Sequence, residues 1–221
     1  MTDYEQIAAP PRVQGDTPGG PSTRTRSGHS FHQIPVDAHA LRSRQEATLS
    51  RYAVSLSAKV FAAETSESDI LMDVFGITPE QKQGNRQYWA RELGMCWQAL
   101  VTDSCEASRA DFQPALRFGR EEPCDLILGP YAIDTKYRVG SGDAGTLKKF
   151  RTNGELLRSL GYEPVLILLR SDNLPAALRA FVSGGWTIME GEESFRFLRK
   201  ETGQDLRQFL ADRSGGHEIV R

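Results

Sequence analysis

Apolar residues follow a helical spacing in the first part of the chain and a mixture of helical and strand-like spacings after it. Between residues 36 and 84 they recur three, four or eight positions apart, as in Leu41, Leu49 and Tyr52, which predicts an all-helical region. Gly76 and Pro79 are expected to end a short helix there. Residues 1–35 are rich in Pro, Gly, Ser and Thr, which is typical of a disordered segment or of an arm that orders on binding.

From residue 85 to 221 the pattern predicts an α/β core, with a mixed central sheet flanked by helices. Trp89, Leu93, Trp97 and Leu100 form the apolar stripe of a helix over 85–101. Buried or alternating runs then predict strands, and amphipathic stretches predict helices, in the order α-β-β-β-α-β-α-β-α. The strands are predicted at 111–118, 124–128, 131–139, 165–170 and 186–189, and the later helices at 142–160, 174–182 and 192–211.

The bulk composition sets limits on the class of protein. The chain has 221 residues, of which 39% are hydrophobic and 25% charged, as in ordinary globular proteins. No apolar run approaches the roughly 20 residues that span a bilayer, and no signal pattern precedes the first helix, so we expect a cytoplasmic protein without a membrane partner. Cys96, Cys105 and Cys124 lack the spacing of a zinc site or disulfide framework and are interpreted as small buried side chains.

Two carboxylates are predicted to meet across a hairpin. If Gly129-Pro130 is a two-residue turn, Leu128 lies opposite Tyr131, and counting back places Asp125 opposite Asp134. Directly opposed side chains lie about 5 Å apart, where two like charges repel each other. A divalent cation between them would remove the conflict, and Mg²⁺ is bound through one or two carboxylates.

Lys136 shares the predicted face of Asp134, because it lies two residues further along the same strand. An ammonium group beside a metal site can orient or help to deprotonate an attacking water and neutralise charge on a scissile phosphate. Asp125, Asp134 and Lys136 therefore predict a site for phosphodiester hydrolysis.

The segment that follows the hairpin is basic. Residues 136–158 carry six Lys or Arg against two acidic residues, a local charge of +4 in a chain of net charge −2. Such a patch suits a phosphate backbone, so double-stranded DNA is the predicted partner and residues 1–35 could contact it as well. Four polar residues of the segment are candidates for reading base edges, and two lysines for holding phosphates. The first group is Arg138, Ser141, Asp143 and Thr146, and the second is Lys148 and Lys149.

These motifs resemble the PD-(D/E)xK nuclease superfamily, whose core has the order α-β-β-β-α-β. Pro123-Cys124-Asp125 is similar to the degenerate "PD" with one residue inserted, and Asp134-Thr135-Lys136 to "(D/E)xK". The resemblance implies a restriction-endonuclease-like fold with Mg²⁺ as cofactor. It also implies that Glu92, on the preceding helix, is a further catalytic residue and metal ligand.

Within the superfamily, residues 132–150 resemble type II restriction endonucleases, and the ApaLI-like family in particular. That resemblance implies a site-specific deoxyribonuclease, assembled as a homodimer or tetramer, that cuts a short palindrome such as GTGCAC. It further implies a cognate DNA methyltransferase in the host. The resemblance to the superfamily as a whole implies that the product carries a 5′-phosphate.

Two other functions stay open at this stage. Gly140, Gly142 and Gly145 form a GxGxxG after a predicted strand, and Asp172 follows the next strand, as in the dinucleotide-binding fingerprint of NAD(P)-dependent oxidoreductases. Against this interpretation, the strand before the glycines carries charged residues on one face, whereas a buried parallel strand is apolar on both. The other alternative is a DNA-binding module that keeps the nuclease fold without catalysis.

Overall fold

The computed structural model describes residues 38–57, 64–119, 121–140 and 142–219. The chain divides into two units, Met1–Leu49 and Ser50–Arg221. Helix α1 crosses that boundary, and everything described from residue 64 onward belongs to the second unit. The helices are α1 (Ala38–Ser57), α2 (Ile70–Phe75), α3 (Pro79–Gly84), α4 (Arg86–Ser108), α5 (Ala144–Ser159), α6 (Pro175–Ser183), α7 (Glu192–Thr202) and α8 (Leu206–Ala211). The strands are β1 (Phe112–Pro114), β2 (Leu126–Leu128), β3 (Tyr131–Lys136), β4 (Glu163–Leu168) and β5 (Thr187–Glu190).

The prediction of an α/β core with a mixed sheet is confirmed. The five strands lie side by side in the order of the sequence. Strands β1, β2 and β3 pair antiparallel, whereas β3, β4 and β5 pair parallel. Strand β4 is buried from Pro164 to Leu168, as expected for a central parallel strand that is covered on both faces.

Helices cover the two faces of this sheet with separate apolar clusters. On one face, Trp97 of α4 and Leu198 of α7 pack with Leu126 and Ile133 of the hairpin strands. On the other, Phe181 of α6 packs with residues of α5, β3 and β4. Alternate residues of β2 and β3 therefore belong to opposite clusters, and the direction of each side chain in the hairpin follows from its position in the alternation.

Several elements differ from the predicted ones, among them α4, which continues to Ser108 instead of ending at residue 101. Pro79 was expected to end a helix, but it begins α3, because Thr78 and Gln81 form a reciprocal capping box around it. The last predicted helix is two helices, α7 and α8, since Gly203 ends α7 in a left-handed conformation. Strand β1 has three residues instead of eight.

Gly154 is required where α5 passes close to the segment before β5. A Cβ at this position would lie 2.5 Å from the carbonyl oxygen of Gly184, and it would also meet the indole nitrogen of Trp186. Gly154→Ala removes a helix-interior glycine, which alone stabilises by up to about 1 kcal/mol. We nevertheless expect a net loss of about 1–3 kcal/mol from overpacking. Urea unfolding measures this loss of stability. The control is Gly84→Ala, because a Cβ at Gly84 meets nothing within 4 Å.

The structure also bears on the expectations for the three cysteines and for a membrane-spanning helix. Cys105 and Cys124 are buried and Cys96 is half-buried, and all three are free thiols. Burial raises the pKa of Cys105 and of Cys124 to about 11. Within the described ranges, no helix combines the length and the apolar character needed to cross a bilayer.

Candidate functional site

The hairpin has the register that its sequence predicts. Gly129 and Pro130 form the turn, and Gly129 has φ +57°, which favours glycine at the first central position. Leu128 pairs with Tyr131, and Leu126 pairs with Ile133. Asp134 and Lys136 therefore share the face of Ala132, which is the α5–α6 face of the sheet.

The ladder changes at Asp125, one residue before the last regular pair. The Asp125 N–H donates to the carbonyl oxygen of Ile133 at 2.8 Å, although Ile133 is already the register partner of Leu126. Two successive residues of one strand thus face a single residue of the other, which is the pattern of a β-bulge. The prediction that Asp125 lies directly opposite Asp134 is wrong in this respect, because the counting assumed an uninterrupted ladder.

The bulge directs the Asp125 carboxylate toward α4. Its Oδ2 accepts hydrogen bonds from the backbone N–H and from the hydroxyl of Thr135, each at 2.7 Å. Its Oδ1 accepts one from Nε2 of Gln98, at 2.9 Å. Thr135 lies on the α4 face by strand alternation, so the carboxylate is anchored at the edge between the two faces.

Asp134 and Lys136 form a close ion pair on the other face. Lys136 Nζ lies 2.6 Å from Asp134 Oδ1 and 3.0 Å from the carbonyl oxygen of Thr135. The Asp134 side chain is 14% exposed and that of Lys136 37%, so the pair is sheltered but open to solvent on the lysine side. Burial opposes the charged form of Lys136, but the carboxylates of Asp134 and Asp125 outweigh it and raise the pKa of the amine.

The two carboxylates influence each other in spite of the bulge. Burial raises the pKa of Asp134 to about 6, and the nearby Asp125 carboxylate adds to the rise while Lys136 opposes it. Two close carboxylates with a single lysine are electrostatically unbalanced, and their oxygens are the hard ligands that Mg²⁺ prefers. Asp125 and Asp134 are therefore the residues that could hold a divalent cation.

Glu92 does not join these two residues in the hydrogen bonds and ion pairs of the structure. Its carboxylate pairs with Arg91 of the same helix at 2.7 Å. In the described ranges, no group of three or more His, Cys, Asp or Glu side chains is arranged to hold a metal ion. The role of Glu92 as a ligand stays a prediction, and the side chain that α4 brings to the site is Gln98.

The residues predicted to contact DNA have different surroundings. Lys148 is exposed on α5, and Lys149 is exposed beside Glu121, with which it forms an ion pair. Asp143 caps α5 by accepting from the backbone N–H of Thr146 at 2.9 Å. Ser141 lies outside the described residues.

Arg138 is directed into the protein, with its side chain 10% exposed. Its Nε donates to the carbonyl oxygen of Asp172 at 2.9 Å and lies 3.2 Å from the Asp172 carboxylate. Asp172 also accepts from Arg170 and from the backbone N–H of Thr65. The acid of the proposed dinucleotide fingerprint is thus engaged with two arginines, even though the glycine-rich segment does join β3 to α5.

A second polar cluster lies beyond the carboxyl ends of β3 and β4. Arg170 binds Asp69 at 2.9 Å and Asp172 at 2.8 Å. The hydroxyl of Tyr137 donates to Asp69 and accepts from Lys82. Burial, with the Asp69 carboxylate beside it, raises the pKa of Tyr137, so the hydroxyl keeps the proton that it donates.

This cluster also fixes the extended segment before α2. Arg170 donates to the carbonyl oxygen of Glu67 and to the hydroxyl of Thr65, and Lys82 lies 2.6 Å from Glu64. Because Tyr137 follows Lys136 directly, the cluster anchors the end of the strand that carries the candidate site.

Sequence reasoning missed both Gln98 and the role of Thr135. A signal existed for Thr135, since it lies between Ile133 and Tyr137 on a buried face, where a hydroxyl needs an acceptor. Gln98 offered no such signal, because it is an exposed residue on a helix and its partner is 27 residues away.

Comparison with known proteins adds no relative: no family model, curated protein or solved structure matches this chain.

Proposed function

We propose that this protein is a Mg²⁺-dependent endonuclease that hydrolyses phosphodiester bonds of double-stranded DNA. The observation that carries the proposal is the close grouping of the Asp125 and Asp134 carboxylates with the Lys136 ammonium where β2 begins and β3 ends. Two acidic groups and one lysine, held by adjacent strands and open to solvent, suit a phosphate substrate that is bound together with a divalent cation.

The order of the elements supports a restriction-endonuclease-like fold. Helix α4, strands β1 to β3, helix α5 and strand β4 follow one another as in the α-β-β-β-α-β core of the PD-(D/E)xK superfamily. The acidic residue before β2 and the Asp-x-Lys within β3 lie at the corresponding places. The resemblance to ApaLI-like type II enzymes is narrower, and it carries the proposals of a homodimer or tetramer, a short palindromic site and a cognate methyltransferase.

Asp125 and Asp134 would hold the cation. Asp125 would bind it through Oδ1, because Oδ2 already accepts two hydrogen bonds from Thr135. When bound, Mg²⁺ would supply Lewis acidity toward the scissile phosphate and lower the pKa of a coordinated water.

Lys136 is suited to act on the water and the phosphate. Its amine is fixed by Asp134 and by the carbonyl oxygen of Thr135, so its direction is set before substrate arrives. With 37% of the side chain exposed, it can donate to a phosphate oxygen or to the attacking water. Charge neutralisation by a fixed ammonium group favours the transition state over the ground state, since negative charge increases on the phosphate oxygens.

The residues predicted to contact DNA differ in their surroundings, and these favour different roles in binding. Lys148 and Lys149 are exposed and suited to phosphates. Arg138 would have to leave Asp172 to reach a base edge, and Asp143 and Thr146 are joined in the cap of α5. We therefore propose that the lysines supply most of the affinity and that base recognition depends on residues still to be identified.

Plasmid cleavage tests the proposed function. We expect supercoiled plasmid incubated with the purified protein and Mg²⁺ to yield discrete fragments, and an equal sample with EDTA to stay intact. Sequencing the fragment ends would give the site and the stagger and would test the GTGCAC proposal directly.

The competing functions predict other results. A non-catalytic DNA-binding module would shift DNA in a gel without cutting it under any divalent metal. An oxidoreductase would bind NADH and leave plasmid intact. Absence of cleavage with Mg²⁺ or Mn²⁺, together with saturable binding of NADH, would overturn the proposal.

A further inference from the structure

Three hydrogen bonds hold the Asp125 carboxylate, and they act on its two oxygens differently. Both bonds to Oδ2 come from Thr135 on the neighbouring strand, whereas the bond to Oδ1 comes from Gln98 on α4. The bonds from Thr135 fix the position of Oδ2 alone, so the carboxylate could still rotate about that oxygen. The bond from Gln98 holds the second oxygen and therefore sets the plane of the group.

Asp125 depends on these bonds because the bulge removes it from regular strand pairing. The last ladder pair is Leu126 with Ile133, so neighbouring cross-strand side chains do not confine Asp125 as they confine residues inside the sheet. The direction of its remaining acceptor positions is thus determined by the donors of Thr135 and Gln98.

Gln98 is itself well placed to impose that direction. The preceding residue, Trp97, is fully buried against the sheet, and its indole nitrogen is directed at the carbonyl oxygen of Ile167. Leu93 and Val101 of the same helix are also buried. The backbone at Gln98 is therefore held by the core, so only its own side-chain torsions have to be fixed.

We propose that Gln98 is a positioning residue that orients Asp125 Oδ1 toward the cation of the proposed nuclease site. This inference rests on the proposed function, and it assigns to α4 a contribution different from that of Glu92. The amide donates to the same oxygen that would bind the cation and therefore acts through the carboxylate. Groups that orient a metal ligand in this way change metal affinity by roughly 10–100-fold when they are removed.

The test is Gln98→Leu, which keeps the approximate size of the side chain and removes the donor. Mg²⁺ is titrated into the protein without DNA, and the rise in unfolding temperature gives the affinity. We expect the variant to need roughly 10-fold more Mg²⁺ than the wild type, with an unchanged unfolding temperature in the absence of metal. The control is Gln87→Leu, at an exposed glutamine of the same helix, which should bind Mg²⁺ like the wild type.

Cleavage assays complete the design. If Gln98 acts by positioning a metal ligand, roughly tenfold more Mg²⁺ should restore the cleavage rate of Gln98→Leu, whereas Asp134→Asn should stay inactive. Wild-type-like Mg²⁺ affinity in Gln98→Leu, or a rate that excess Mg²⁺ does not restore, would overturn the role of Gln98 and leave the nuclease proposal intact. A wild-type protein whose unfolding temperature and plasmid cleavage do not respond to Mg²⁺ would overturn the nuclease proposal itself.

Discussion

Asp134→Asn is expected to abolish Mg²⁺-dependent cleavage, with a loss on the order of 10⁴-fold or more in rate, as is found when a central catalytic group is removed. The amide has nearly the shape of the carboxylate but carries no charge, so it binds a divalent cation far more weakly. It also leaves Lys136 without the ion pair that fixes its direction at 2.6 Å. Initial rates of plasmid cleavage over a range of Mg²⁺ concentrations measure the effect.

The substitution should spare both the fold and DNA binding. Burial and the nearby Asp125 carboxylate raise the pKa of Asp134 in spite of Lys136, so the folded protein disfavours the charged form and an uncharged amide should be tolerated there. A gel-shift assay in Ca²⁺ or EDTA should therefore show DNA affinity like that of the wild type. Asp103→Asn makes the same chemical change at an exposed carboxylate on α4 and should cleave normally. An Asp134→Asn protein that cut at the wild-type rate would show that the metal assignment is wrong.

Arg170→Met is expected to lower the free energy of unfolding by about 3–5 kcal/mol, the usual cost of removing one partner from a buried ion pair. The Arg170 side chain is 5% exposed and binds Asp69 and Asp172, which are 11% and 12% exposed. Methionine keeps much of the stem but leaves both carboxylates short of a partner in sheltered surroundings. Equilibrium urea unfolding with an unchanged m-value would measure the loss.

A matched surface arginine gives the control for that experiment. Arg196 is 73% exposed and pairs with Glu193 within one helix turn, so Arg196→Met should change stability by no more than about 1 kcal/mol. A loss of the same size at both positions would show that the Arg170 cluster is solvated and contributes no more than a surface pair.

The effect of Arg170 should also depend on pH. Burial alone would raise the pKa of Asp172, but the hydrogen bond from Arg170 and that from the Thr65 N–H outweigh it and lower the pKa below 3.8. A lowered carboxyl pKa stabilises the folded state above that value, and the stabilisation is lost as the pH falls through the folded pKa. The difference in free energy of unfolding between the wild type and Arg170→Met should therefore become smaller below about pH 4.

The sheet and the hairpin could be predicted because their signals are local. The two-residue turn at Gly129-Pro130 fixes the register of β2 and β3, and an uninterrupted apolar run identifies β4. Helix α3 was also signalled locally, by Thr78 and Gln81, but proline was interpreted as a breaker instead of as the first residue of a capped helix.

The parts of the site that could not be predicted depend on long-range contacts. The bond from Gln98 to Asp125 spans 27 residues, and the pair of Arg170 with Asp69 spans 101. No spacing rule connects such positions, since their approach depends on how α4 and the segment before α2 pack on the sheet. The bulge at Asp125 could not be predicted for a related reason, because its additional hydrogen bond to Ile133 corresponds to no recognisable pattern in the sequence.

The bulge separates the requirements of folding from those of chemistry. Residues Leu126–Leu128 keep the buried register that the core requires, and the residue just ahead of them is released from that register. The apolar positions of β2 and β3 can therefore stay in place while the direction of the acidic group is set separately, by the bulge and by the donors of Thr135 and Gln98.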